Sequence, residues 1–114
     1  VISEGVEAER RAERFLQSKG LTLVQRNYRC RVGEIDLVMR DRDTLVFVEV
    51  RSRSRQDFGG AAGSIDTAKR DRLLRTARHY LSRLPSEPTC RFDAVLLDGG
   101  AGQRIEWIRD AFGE

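Results

Sequence analysis

Gly33-Glu34-Ile35-Asp36-Leu37-Val38-Met39 and Leu45-Val46-Phe47-Val48-Glu49-Val50-Arg51 decide how this chain is read. Both stretches alternate in the period-two pattern of β-strands. The pattern predicts strands over Gly33–Arg40 and Thr44–Arg51. On the first, Glu34, Asp36 and Val38 take one face, and Ile35, Leu37 and Met39 the other. On the second, Leu45, Phe47, Glu49 and Arg51 share a face opposite Val46, Val48 and Val50. Asp36 and Glu49 therefore stand at strand positions flanked by apolar residues, where core residues belong.

Between the strands, Asp41-Arg42-Asp43-Thr44 is rich in turn formers. A hairpin closing symmetrically about Arg42 and Asp43 sets Asp36 opposite Glu49 and Glu34 opposite Arg51. Directly opposed residues have Cβ atoms about 4.5–5.5 Å apart. Two carboxylates at that separation repel unless a cation lies between them. A three-residue loop would spoil the register, so the pairing depends on the turn.

Outward from this hairpin, residues from about Ser3 to Lys19 read as a helix. Ala8, Ala12, Phe15 and Leu16 recur at helical spacing, and Gly20 is placed to end it. Glu9 stands at i, i+3 and i+7 with Ala12 and Leu16, beside the apolar stripe rather than opposite it. Leu21–Tyr28 reads as a strand. Ser52–Gly63 is basic and glycine-rich and reads as a loop. A second helix starts near Ser64 or Asp66, either of which could cap it. Its apolar face carries Leu73, Ala77, Tyr80, Leu81 and Leu84, and Pro85 and Pro88 end it. Arg91–Leu97 and Arg104–Ile108 complete the strands. The order α-β-β-β-α-β-β predicts an α/β domain spanning residues 1–114, a mixed sheet with helices on one face or both.

The 114 residues are enough to bury a core without disulfides or a structural metal. With 39% hydrophobic and 34% charged residues, the chain has the composition of a globular protein with a heavily charged surface. No apolar run approaches the roughly 20 residues of a membrane helix, and the start of the chain does not read as a signal peptide. The expected compartment is the cytoplasm, with no membrane partner. Cys30 and Cys90 are too few and too far apart for a zinc motif, and read as small buried hydrophobes. His79 is the one histidine, so a metal here would be bound by oxygen, which points to Mg²⁺ or Mn²⁺. The net charge is +3, and all basic residues but Lys19 and Lys69 are arginines. Arginine suits phosphate contacts, and a genomic bias toward arginine codons gives the same composition.

Hard divalent cations take several carboxylate oxygens and accept substrate phosphates as further ligands. Asp36 and Glu49, with Glu9 from the helix and Arg51 two residues on, have the chemistry to hold such an ion against a phosphate. From spacing alone the pattern is weak, because strand Glu and Arg residues mostly form solvated faces or ion pairs.

Gly33-Glu-Ile-Asp-Leu-Val followed by Leu45-Val-Phe-Val-Glu-Val-Arg-Ser-Arg closely resembles the YraN family of bacterial predicted endonucleases. The resemblance extends through Ala8-Glu9, Ala12 and Phe15-Leu16, through Lys69, Arg72 and Leu73, through Arg91-Phe92-Asp93, and to Asp110-Ala111-Phe112. It implies a restriction-endonuclease-like fold, distantly similar to archaeal Holliday-junction resolvases. It also implies that Glu9, Asp36 and Glu49 are metal-binding and catalytic carboxylates. Arg51 then occupies the position where the family usually has lysine. Arginine stays protonated and cannot serve as a general base, but it can stabilise a phosphate in the transition state. Three readings stay open: Arg51 works in place of lysine, Lys69 supplies the ammonium instead, or the site binds metal and DNA but cuts poorly.

Arg53 and Arg55, on the loop, read as phosphate clamps, with a solvated connection as the plainer alternative. Lys69 and Arg72 belong to a basic side of the second helix that either touches nucleic acid or is simply solvated. Glu34 is an accessory candidate. Asp93 reads as a structural partner of an arginine. Trp107 reads as core or interface, Tyr80 as helix packing and His79 as helix surface. The leading expectation is an Mg²⁺- or Mn²⁺-dependent endodeoxyribonuclease acting on branched, flapped or single-stranded DNA. The alternative is a non-catalytic nucleic-acid-binding or accessory protein on the same fold, and a third is an interaction module with no nucleic-acid role. Structure-selective nucleases of this fold often act as dimers, which makes a homodimer an expectation by analogy.

Overall fold

In a computed structural model the residues described are 4–53, 66–98 and 104–112, with only the backbone described at Glu4 and Arg53. Helix α1 spans Glu4–Ser18. Strands β1 (Thr22–Arg29), β2 (Glu34–Asp41) and β3 (Thr44–Arg53) follow. Helix α2 (Thr67–Leu81) then leads to β4 (Cys90–Asp98) and β5 (Arg104–Phe112). The sheet order is β1-β2-β3-β4-β5. β3 and β4 are parallel and every other neighbouring pair is antiparallel. The link between the two parallel strands carries α2, as a parallel pair requires a crossover.

Helix α1 ends as Gly20 predicts. Gly20 takes φ +100°, and the N–H of Leu21 donates to the carbonyl of Leu16 at 3.1 Å, closing a left-handed C-terminal turn. At α2, Asp66 is the cap, accepting the N–H of Lys69 at 2.8 Å. Ser64, the other candidate, lies outside the described residues.

The helices cover opposite faces of the sheet. Ala12 and Leu16 of α1 pack on Leu37, Met39, Val46, Val48, Val95 and Leu97. Leu73, Ala77 and Tyr80 of α2 pack on Ile35, Val38, Leu45, Phe47 and Phe92. Val46 and Val48 fall on the first side and Leu45 and Phe47 on the second, as alternation along β3 demands. Thr76 is also fully buried on α2, its hydroxyl donating to the carbonyl of Arg72 at 2.7 Å. The mixed sheet between helices, in the order α-β-β-β-α-β-β, is that of the restriction-endonuclease-like fold.

Several expectations change. β5 runs on to Phe112 across an irregularity, because Asp110 takes φ +51° and donates its N–H to buried Asp93 at 3.0 Å. Cys30 is only partly buried and Cys90 is exposed, so neither is a core residue. Ile35 does not share a face with Leu37 and Met39. It joins Val38 on the α2 side, because strict alternation fails around Asp36. Among the described residues, no helix is long and apolar enough to cross a membrane.

Candidate metal and phosphate site

The hairpin turn forms with Arg42 at φ +57° and Asp41 paired with Thr44. The expected register follows, through Met39 opposite Val46 to Leu37 opposite Val48, and there the β2–β3 pairing stops. β1 and β2 continue together to Arg29 opposite Glu34. The distal end of the β1–β2 hairpin thus leaves β3 at Asp36.

The local cause is visible on β1. Arg26 faces Leu37 and Tyr28 faces Ile35, but no bridge joins Asn27 to Asp36, and Asn27 takes φ +50°. Asparagine is among the residues that tolerate this left-handed conformation. Both strands change face across this step. Arg26 bonds Glu13 of α1, with Nε to Oε1 at 2.6 Å and Nη2 to Oε2 at 2.9 Å, whereas Tyr28 lies in the α2-side cluster. Asp36 sits at the switch.

In an unbroken ladder the N–H of Val50 would meet the carbonyl of Ile35. It donates instead to Asp36 Oδ2 at 2.8 Å. The Asp36 carboxyl neighbours that of Glu49, and both line one cavity. Burial, followed by the hydrogen bond and charge of Glu49, pushes the Asp36 carboxyl up to about 9. The Val50 N–H acts in the opposite sense, and the charge of Glu9 adds to the rise. Asp36 therefore carries a proton at neutral pH.

Glu49 is buried, at 5% exposure. Its Oε2 holds two cations: Arg51 Nη2 at 3.0 Å and Lys69 Nζ at 2.9 Å. Arg51 comes from the same strand and Lys69 from the first turn of α2. The Nε of Arg51 is buried and has no hydrogen-bond partner among the described residues. A buried donor left unpaired costs about 1–3 kcal/mol, and an acceptor placed there recovers it.

Glu9, Asp36, Glu49, Arg51 and Lys69 line one open cavity of about 270 Å³, with Glu34, Val50 and Ser52 on its wall. Gly5 and Ala8 give it a small-residue rim on the α1 side. The three carboxylates named from the sequence thus reach one pocket, and Glu9 is close enough for its charge to act on Asp36. Among the described residues, no group of three His, Cys, Asp or Glu side chains is arranged to hold an ion by itself. Asp36 and Glu49 side by side, Glu9 and Glu34 on the wall and an open side for phosphate still fit Mg²⁺, which commonly uses one or two carboxylates plus waters and substrate oxygens.

Of the other candidates, Glu34 alone among those described lines the cavity. Glu34 does not pair with Arg51. Its carboxylate takes Arg29 Nε at 2.9 Å in solvent, because β2 has left β3 before that register position. Arg72 is exposed on α2 and does not line the cavity. Arg53 has only its backbone described, paired with Asp98, and Arg55 lies outside the described residues. Asp93 does pair with arginine, accepting from Arg91 at 3.0 and 3.2 Å, and it also accepts from the Trp107 indole at 2.9 Å. The direct grip of Lys69 on Glu49 is a contact between distant segments; the sequence offers Lys69 as an alternative ammonium for the site but not its carboxylate partner.

A family model described as uncharacterised protein family UPF0102 matches residues 8–97, which include Glu9, Asp36, Glu49, Arg51 and Lys69. The chain is similar to a UPF0102 protein of Nitrosospira multiformis, at 62% identity over 96% of this chain and 92% of the relative. A Nitrosomonas europaea relative is 59% identical, covering 98% of this chain and 95% of its own. One from Ralstonia nicotianae is 57% identical, over 96% of this chain and 85% of its own. With a match that encloses every side chain of the cavity's charged lining, the chain belongs to UPF0102, the YraN family.

Proposed function

We propose that this protein is a metal-dependent endonuclease that hydrolyses phosphodiester bonds in DNA. The observation that carries the reading is the convergence of Asp36 and buried Glu49 on one cavity whose lining also holds Arg51 and Lys69, both paired with Glu49. Two acids forced together beside two cations are costly as a purely structural device. They become useful where a divalent ion and a phosphate meet.

Asp36 and Glu49 would hold Mg²⁺ or Mn²⁺, with Glu9 as the third carboxylate of the wall. The ion supplies Lewis acidity at the phosphoryl group when bound. Asp36 would hold the ion as a carboxylate, its proton passing to solvent. Arg51 remains protonated and offers the exposed part of its guanidinium to a phosphoryl oxygen, stabilising charge that builds during displacement. Glu9, at the cavity wall, orients a water toward the phosphorus. Arg70, Arg72 and Arg75 are exposed along α2 and supply backbone contacts on a neighbouring stretch of the strand. Branched and single-stranded DNA are the candidate substrates.

Arg51, in place of lysine, and the double hold on Glu49 also favour a second reading, a DNA-binding protein that cuts poorly or not at all. Purified protein incubated with linear, single-stranded and four-way-junction DNA, with Mg²⁺ and with Mn²⁺, separates the two. Metal-dependent cutting supports the nuclease. Salt-sensitive binding without cutting supports the second reading. Absence of binding to every nucleic acid contradicts both.

A further inference from the structure

Glu49 Oε2 is claimed by two cations at nearly the same distance, and the two differ in how firmly they are held. Arg51 is two residues along the same strand. Its guanidinium is planar, and its Nε is buried inside the cavity lining. Lys69 reaches in from another element, on a flexible stem that ends in a single compact charge. It also sits in the first turn of α2, where no acidic residue occurs and the helix dipole opposes a positive charge. Its backbone N–H is committed to Asp66, so the helix end is fixed, and among the described residues the ammonium's ion-pair partner is Glu49. Both side chains are about a quarter exposed, so solvent or a ligand can reach them.

We infer that Lys69 is an exchangeable counter-ion of Glu49, displaced when a divalent cation enters and passed to the phosphate of the bound nucleic acid, while Arg51 stays in place. The inference rests on the metal-dependent reading above and assigns the mobile ammonium to α2. In the metal-free protein Lys69 neutralises a buried carboxylate. With the ion present, the carboxylate oxygen is taken and like charges repel, so Lys69 swings toward the open side of the cavity. It then contacts substrate, and metal binding and phosphate binding favour one another through this one side chain.

The chain contains only two lysines, which makes the exchange directly observable. Reductive methylation with ¹³C-formaldehyde keeps the charge and gives one dimethyl resonance for each lysine side chain. Lys19 lies over the Phe15 ring at the end of α1 and serves as the internal control. The Lys69→Arg variant identifies the Lys69 signal by its loss. Mn²⁺ affinity is measured in parallel by calorimetry.

On titration with Mg²⁺, the Lys69 resonance shifts and saturates with site occupancy while that of Lys19 stays put. Single-stranded DNA added in Ca²⁺ then shifts Lys69 a second time. Lys69→Met and Lys69→Gln, each checked for an unchanged far-UV spectrum, bind Mn²⁺ roughly threefold or more tightly than wild type and bind DNA more weakly. Calorimetric binding of Mn²⁺ with a motionless Lys69 signal overturns the exchange and leaves the metal site standing. Absence of Mn²⁺ binding in the wild-type protein overturns the metal site and the exchange with it.

Discussion

Val50 donates its backbone N–H to Asp36 Oδ2 at 2.8 Å, so a side-chain carboxyl takes the acceptor place that a main-chain carbonyl of β2 would fill in a continuous ladder. The contact does two jobs. It closes the gap where the β1–β2 hairpin leaves β3, and it aims the Asp36 carboxyl at Glu49. A structural need of the sheet thus fixes the geometry of the site.

The raised proton affinity of Asp36 makes stability depend on pH. Its folded value of about 9 lies above the ordinary value of 3.8. For a carboxyl raised on folding, the associated stability is fully present below the ordinary value. It is lost as pH rises toward the folded one. Asp36→Asn keeps an acceptor for Val50 and removes the ionisation. In EDTA its Tm should exceed that of the wild type at pH 8, with the gap closing toward pH 4, as scanning calorimetry across that range would measure.

The same proton couples to metal. A cation that requires Asp36 as carboxylate must expel it, so Mn²⁺ affinity should rise as pH increases from 6 toward 9. Calorimetry in buffers of different ionisation enthalpy should show close to one proton released per ion at pH 7. Asp36→Asn should release none and bind Mn²⁺ at least about tenfold more weakly.

How the hairpin reads in sequence explains what could be foreseen. The turn at Arg42 and Asp43 set the pairing, and Leu37 does lie opposite Val48. The face assignment of Ile35 failed because a single left-handed residue on the neighbouring strand, Asn27, has no periodic signature. The extension of β5 past Ile108 depends on Asp93 capturing the Asp110 N–H, a contact between segments far apart in the chain. Glu9, Asp36 and Glu49 were legible as acids on or beside apolar faces. The hold of Lys69 on Glu49 was not, since it requires knowing where α2 docks.

Gly33 lies against the buried side of α2. A Cβ built there would come within 3.1 Å of Thr76 Oγ1, on the buried side of α2. Gly33→Ala should therefore push the helix outward and destabilise the fold by about 1–2 kcal/mol in urea unfolding. Because Lys69 rides on the same helix, the variant should also weaken DNA binding.

Asp93 tests whether buried acids elsewhere serve the site. It is fully buried and bonds Arg91, Trp107 and the Asp110 backbone on the β4–β5 side. Asp93→Ala should cost about 3 kcal/mol of stability by stranding those donors. At temperatures where the variant is folded, its Mn²⁺ affinity should match that of the wild type.

Arg51 should act on the reaction rather than on the ion. Arg51→Ala should lower the cleavage rate by about 10²–10³-fold. Its Mn²⁺ affinity should be equal to or higher than that of the wild type, since a competing cation has been removed. Single-turnover rates and calorimetry on the same preparation separate the two effects.

The most direct test of the central claim is cleavage of single-stranded and four-way-junction DNA by wild type, Asp36→Asn and Glu49→Gln, side by side in Mg²⁺, Mn²⁺ and EDTA. The account predicts cutting by the wild type in either metal, none in EDTA, and loss of at least about 10³-fold in each variant despite retained folding. Cutting that persists at the wild-type rate in both variants would contradict it, as would failure of the wild type to bind or cut any of these DNAs.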